Sequence, residues 1–201
     1  MKNLIVFLSI ALLVGTIYGC KHGESNENSS MNKEENSMQQ DDMSDQKTSK
    51  DEPKQIEINI NAKSESDVSG TVQFKEKEGN VHMIANLSGL KPGKHAIHLH
   101  QKADCSAKDG KSSGGHWNPT NQPHGKWGDK EGYHRGDIGN FEADGEGNAM
   151  MNFETDEWCI DCGDSDKDIM GRAVIIHEGE DVFTSQPYGN AGNRVACAGI
   201  E

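Results

Sequence analysis

The chain is poor in the materials of most folds. Aromatic residues make up 5% and hydrophobic residues 32% of its 201 positions, and mean hydropathy is −0.81, too little apolar content for a chain that is packed along its whole length. Between Lys21 and Lys54 there is no aromatic residue and no Val, Ile or Leu. Such a segment buries too little apolar area to offset the entropy of ordering. Basic clusters are also missing. Lys and Arg number 20 against 33 Asp and Glu, a net charge of −13, which excludes a nucleic-acid partner because a polyphosphate requires a basic face. After the first twenty residues no stretch holds a helical apolar period for three turns, so helix bundles are excluded as well.

The one apolar run, Leu4 to Val14, follows Lys2 and stops at Gly19-Cys20. It is shorter than the roughly 20 residues of a membrane-spanning helix and reads as a targeting segment. Ile17-Tyr18-Gly19-Cys20 resembles a bacterial lipobox, with Tyr18 departing from the small or polar residue usual there. The resemblance implies cleavage before Cys20 and a diacylglyceryl group on its thiol, and two acyl chains anchor stably. Residues 1–19 are thus expected to be a lipoprotein signal peptide. Residues 20–54 are expected to be a disordered acidic polar tether, and 55–201 the folded domain, held outside the cytoplasm on the bacterial cell membrane.

The folded part reads as β. Ile56, Ile58 and Ile60 alternate with Glu57, Asn59 and Asn61, placing three β-branched side chains on one face. Val68–Phe74 and Val81–Leu87 follow, separated by the turn signal Glu78-Gly79-Asn80. Further strands are expected at His95–Gln101, Ala149–Phe153, Arg172–His177 and Arg194–Gly199. Short strands divided by Gly, Asp and Asn turns indicate an antiparallel sandwich or barrel. Two long connections, about Ala103 to Asp137 and Glu178 to Asn193, are too long for idle loops and are expected to carry function.

Of the nine histidines, only His22 precedes His82. On a strand, residues two apart share a face, so His98 and His100 present their imidazoles together. His116, His124, His134 and Asp137 lie in the first long connection, and His177 ends the apolar run Ala173-Val174-Ile175-Ile176. Imidazole is the commonest neutral ligand for copper and zinc, so the set indicates a metal site.

These residues stand in strings that resemble the copper/zinc superoxide dismutase family: Gly93 to His100, Gly115-His116-Trp117-Asn118-Pro119, His134 to Asn140, Gly171 to Glu178, and Gly189 to Cys197. The resemblance implies an eight-stranded antiparallel Greek-key β-barrel or sandwich with two long functional loops. It implies copper ligands at His98, His100, His116 and His177, and zinc ligands at His116, His124, His134 and Asp137, with His116 bridging the two ions. Asp181 would hydrogen-bond His98 and His124, His95 would be structural, and Cys105 and Cys197 would form a disulfide. The implied reaction is disproportionation of superoxide, with Arg194 docking the anion and His116 cycling a proton. Tyr188 departs from the small hydroxyl residue found in many members, so anion access is expected to differ.

Cys159-Ile160-Asp161-Cys162 has no counterpart in that pattern. It reads as a second, local disulfide, with a reactive dithiol or a further metal site as alternatives. The function expected overall is that of a dismutase protecting the cell surface. The alternative is an extracytoplasmic copper/zinc-binding module with little turnover. The sequence leaves the oligomeric state open.

Overall fold

The structure, a computed structural model, describes residues 53–201. The signal segment, Cys20 and the tether up to residue 52 lie outside the described residues.

Among the described residues eight strands occur in chain order: β1 (Lys54–Ala62), β2 (Ser69–Lys77), β3 (Asn80–Ser88), β4 (Gly93–His100), β5 (Gly139–Ala143), β6 (Ala149–Thr155), β7 (Ala173–His177) and β8 (Arg194–Gly199). One short 3-10 turn, Lys111–Ser113, interrupts the first long connection. The strands form one antiparallel sheet in the order β5-β4-β7-β8-β1-β2-β3-β6. Its two end strands, β5 and β6, are consecutive in the chain. A turn in which Asp144 and Asn148 are backbone-bonded at 2.9 Å joins them, and the sheet curls into a nearly closed barrel. Around the barrel, β3 to β4 passes over β6 and β5, and β6 to β7 passes over β5 and β4, the two Greek-key connections.

Alternation explains the interior. Val72 and Phe74 on β2 stand opposite Ala85 and Met83 on β3, and all four are fully buried. Ile60 from β1, Ile97 and Leu99 from β4, Val174 and Ile176 from β7, and Ala196 and Ala198 from β8 complete the lining. Each large side chain so buried contributes about 1.5–3 kcal/mol. Strand β5 carries only Phe141 as a large inward group, between Gly139 and Ala143. For that reason alternation alone does not flag it.

On β4 and β7 both faces are buried. The outer face is covered by the long connections rather than by water, and a small apolar cluster of Ala173, Ile175 and Cys197, with Cys105 against it, floors that cover. Cys105 and Cys197 are disulfide-bonded, with Cα atoms 5.8 Å apart and a sequence separation of 92. The bond ties the first connection to the outer face of β8, the same side of the sheet that carries His98 and His100.

Candidate metal centre

The outer face of β4 presents His98 and His100, and their register partners on β7 are Ile175 and Ala173. His177 continues the outward phase of β7 past an irregularity between Ile176 and His177. His116 is returned to this face by backbone bonds that fold its loop against the end of β4: Gln101 N–H donates to Gly115 O at 3.0 Å and Trp117 N–H to Leu99 O at 2.8 Å. Donor atoms of His98, His100, His116 and His177 lie within 4.8 Å of one another. A second group, His116, His124, His134 and Asp137, meets the same limit and shares His116. All seven residues are buried.

The ring orientations are set by partners behind each group. His98 Nε2 faces Asp181 Oδ2 at 2.7 Å and His124 Nε2 faces Asp181 Oδ1 at 2.8 Å, so one carboxylate orients a ring in each group. His100 Nδ1–H donates to Gly114 O at 2.9 Å, and a carbonyl only accepts, so His100 Nε2 is left as a lone pair. His116 Nδ1 lies 2.8 Å from Asp137 Oδ1. Asp137 Oδ2 also accepts the backbone N–H of Gly125 and of His134, at 3.1 and 2.8 Å.

These partners leave His98 Nδ1, His100 Nε2, His116 Nε2 and His177 Nε2 buried without hydrogen bonds on one side; on the other, His124 Nδ1 and His134 Nδ1 point at the Asp137 carboxylate, at 2.9 and 3.3 Å, without hydrogen-bond geometry. An unpaired buried polar atom costs about 1–3 kcal/mol, and folded proteins leave few. Six in two convergent groups fit metal ions. Four nitrogens suit Cu(II), whereas three nitrogens and one carboxylate suit tetrahedral zinc.

The electrostatics separate the two sides. Burial pushes the pKa of His98 and of His100 well below the usual imidazole value, helped by His116 and His177. Burial and the charge of His116 lower His177 to about 3. Burial also lowers His124, but Asp137 and Asp181 outweigh it and raise its pKa to about 9. Asp137 shows the reverse balance: burial pushes it up, and contacts with His116, His124 and His134 hold it far below the usual carboxylate range. Neutral imidazoles, as on the first side, are the form that binds metal.

Arg194, the first residue of β8, is half-buried. Its Nη1 donates to Gly110 O at 2.9 Å and Ser113 Oγ at 3.2 Å. Burial lowers its pKa against opposing effects of Asp109 and Tyr188, and a guanidinium keeps its charge in a protein. With His100, His116, His177, Lys111 and Tyr188 it lines a cavity of about 300 Å³.

His95 belongs to neither group. Its ring spans His177 O at 2.9 Å and Lys91 O at 2.7 Å and stacks on Phe141. His82 is on the exposed face of β3, 3.2 Å from Glu154. Cys159 and Cys162 are disulfide-bonded with Cα atoms 6.0 Å apart. Their loop wraps the Asp168 carboxylate, which accepts the N–H groups of Asp161, Cys162, Gly163 and Met170.

Two supporting residues escaped the sequence reading. Gln186 grips His124 from both sides, accepting its N–H at 3.0 Å and donating to its O at 2.8 Å. Asn140 does the same for Asp181, at 2.7 and 3.0 Å. Only the position of Asn140, three residues after Asp137, could have marked it. Gln186 sits in a loop without periodicity.

An antiparallel barrel carrying two abutting histidine groups with a shared member is a two-metal β-barrel protein. The family model for copper/zinc superoxide dismutase (SODC) matches residues 68–200, and the chain belongs to that family, whose cofactors are copper and zinc. It is 39% identical over 141 residues to an extracellular Cu-Zn superoxide dismutase of Drosophila melanogaster, covering 66% of this chain and 75% of that protein. It is 35% identical over 137 residues to the copper chaperone for superoxide dismutase of Rattus norvegicus, covering 65% of this chain and 47% of that protein. The chain thus spans about half the length of that chaperone. Among solved structures it is similar to a SOD-like protein from Bacillus subtilis, in a double mutant with histidine in place of a tyrosine and a proline. The TM-score is 0.65 at 29% identity, over 72% of this chain and 95% of that one.

Proposed function

We propose that the chain is an active dismutase, in which His98, His100, His116 and His177 hold copper, and His116, His124, His134 and Asp137 hold zinc. The overall change is two superoxide anions and two protons to dioxygen and hydrogen peroxide. The observation that carries the reading is the charged Arg194 in the same cavity as three of the copper-side histidines. Copper supplies the one-electron redox change, alternating between Cu(II) and Cu(I).

The protein's own residues do the rest. Arg194, held by Gly110 and Ser113, fixes a cation where the substrate anion docks. In a chain of net charge −13 this local field, rather than the net charge, draws the anion in. His116 lines the cavity and its Nε2 has no protein partner; that atom holds a proton in one half of the cycle and releases it toward peroxide in the other. Asp137 and Asp181 keep the rings in the required tautomers.

The full chain is read as a signal peptide over 1–19, a tether over 20–54 and the catalytic domain over 55–201, anchored outside the cell membrane through lipid on Cys20. The extracellular fly relative and the two disulfides support an oxidising compartment. A Cys20→Ala chain is expected in the soluble rather than the membrane fraction, and retention there would reject the anchor.

A second reading is a copper/zinc-binding module with little turnover, favoured by the similarity to a copper chaperone. Superoxide decay measured by pulse radiolysis on the copper- and zinc-loaded full chain, beside His100→Ala, separates the two. The variant is expected to lose more than the roughly 10–100-fold typical of losing a residue that only supports a ligand. Equal rates sink the site, and full metal occupancy without turnover selects the second reading.

A further inference from the structure

Tyr188 is a large side chain in the wall of the metal cavity that neither the ligand sets nor the docking cation explains. Its ring centroid lies 5.1 Å from that of His116. Beneath the ring is Gly115, whose missing side chain makes the approach possible: a Cβ there would stand 2.8 Å from Tyr188 Oη and 3.1 Å from the ring carbons Cε1 and Cζ. The ring therefore lies on bare backbone as a roof beside the bridging histidine. It stays 48% exposed, so one side meets solvent while the other closes the cavity it shares with His100, His177 and Arg194.

The segment that carries the ring is tied on both flanks. On one side Gln186 grips the backbone of His124. On the other, Gly189 has φ +70°, and a Cβ on it would fall 1.9 Å from Asp181 Oδ1 and 2.7 Å from His124 Nε2. Gly189 is also backbone-bonded to Val182 and Ser185, at 2.7 and 2.8 Å. An aromatic ring has two side-chain torsions and a fixed shape, so on a tied backbone it acts as a rigid wall.

We propose that Tyr188 is the specificity-determining residue of the cavity. Its ring narrows access over His116 so that slender anions of two or three atoms reach the copper position and branched anions or chelators do not. The proposal rests on the copper assignment above and deepens it by naming what selects the ligand. The ring, not the hydroxyl, does the selecting.

The test uses the full chain loaded with copper and zinc, unaltered and as Tyr188→Thr and Tyr188→Phe, with two readouts that do not depend on turnover. One is the dissociation constant of azide, a linear anion, from the Cu(II) absorption spectrum. The other is the rate at which diethyldithiocarbamate, a branched chelator, withdraws copper. Tyr188→Thr is expected to speed withdrawal by about tenfold while azide affinity stays within about twofold, the scale on which a pocket wall discriminates by shape. Tyr188→Phe is expected to match the unaltered chain in both. Withdrawal unchanged in Tyr188→Thr would overturn the proposal. So would a parallel shift of both readouts, which would mean general loosening. A chain that binds copper and keeps this discrimination without consuming superoxide would refute the dismutase reading and leave the filter standing.

Discussion

The two sides of the metal centre are built by different means. His98, His100 and His177 stand on β4 and β7, paired strands whose register fixes side-chain spacing before any ion arrives. His124, His134 and Asp137 stand on the connection between β4 and β5, which lies outside the named strands and touches β4 through a bridge at His100–His116 and bonds to Leu99. There the order comes from cross-ties: the Asp137 carboxylate gathering three histidines, Asp181 reaching across to His124, Gln186 on the His124 backbone, and the disulfide from Cys105 to β8. The barrel preorganises the strand side, whereas the loop side must repay the entropy of ordering its own backbone. Three of the four proposed copper ligands stand on the stiff side.

If that contrast is real, cutting a cross-tie harms the loop side first. The largest effect is expected from Cys105→Ser. Opening a 92-residue link removes about 4–5 kcal/mol on the chain-entropy model, read as a lower urea midpoint. Zinc affinity should fall more than copper affinity in the same variant, and equal losses would break the comparison.

Protons sharpen it next, because the two sides titrate in opposite senses in the metal-free chain. His177 has its pKa lowered from 6.5 to about 3. Unfolded, it takes up a proton near pH 6.5, whereas folded it does not, so stability falls as the pH drops below 6.5. Between pH 6.5 and 5 this group alone removes about 2 kcal/mol, and His98 and His100 act in the same direction. His124, raised to about 9, contributes stability that is complete below pH 6.5 and is lost as the pH rises through 9. Urea midpoints of the metal-free chain should therefore decline on both sides of a maximum near pH 6.5. A midpoint that rises from pH 6.5 to 5 would contradict the acid arm.

The smallest effect is expected from Asp181→Asn, which keeps the shape but removes the carboxylate that orients both His98 and His124. Loss of such a partner typically costs 10–100-fold in metal affinity. The loss should fall on zinc, since β4 still holds His98 by its backbone. Competition titrations with a chromophoric chelator give both constants, and a greater loss for copper would reverse the argument.

Strand-borne features were the legible ones. The alternation of Ile56, Ile58 and Ile60 announces β1, and the two-residue spacing of His98 and His100 announces a shared face, because a strand has period 2. Loop-borne features were not legible from spacing. His116, His124 and Asp137 carry no periodic signal that says they meet, and only the family-like strings around them linked them. The grips of Gln186 on His124 and of Asn140 on Asp181 span 62 and 41 residues, a distance at which local pattern carries no information. Strand β5 escaped for a compositional reason, having Phe141 as its one large inward residue.

The placement of β8 has a consequence in time. This strand lies between β7 and β1, setting Cys197 opposite Asn61 and Ala196 opposite Ala62. It carries the cavity-lining Arg194 and the disulfide partner Cys197 together. The first described strand therefore gains its second neighbour only when the last one arrives, and pairings this remote in sequence are slow, on the millisecond-to-second scale of non-local β topologies. Pairing of β8 with β7 sets Arg194 beside His177 and Cys197 beside Ile175, and pairing with β1 closes the barrel. The pairing that closes the barrel, the bond that fastens the first connection and the cavity's guanidinium thus all lie on one six-residue strand.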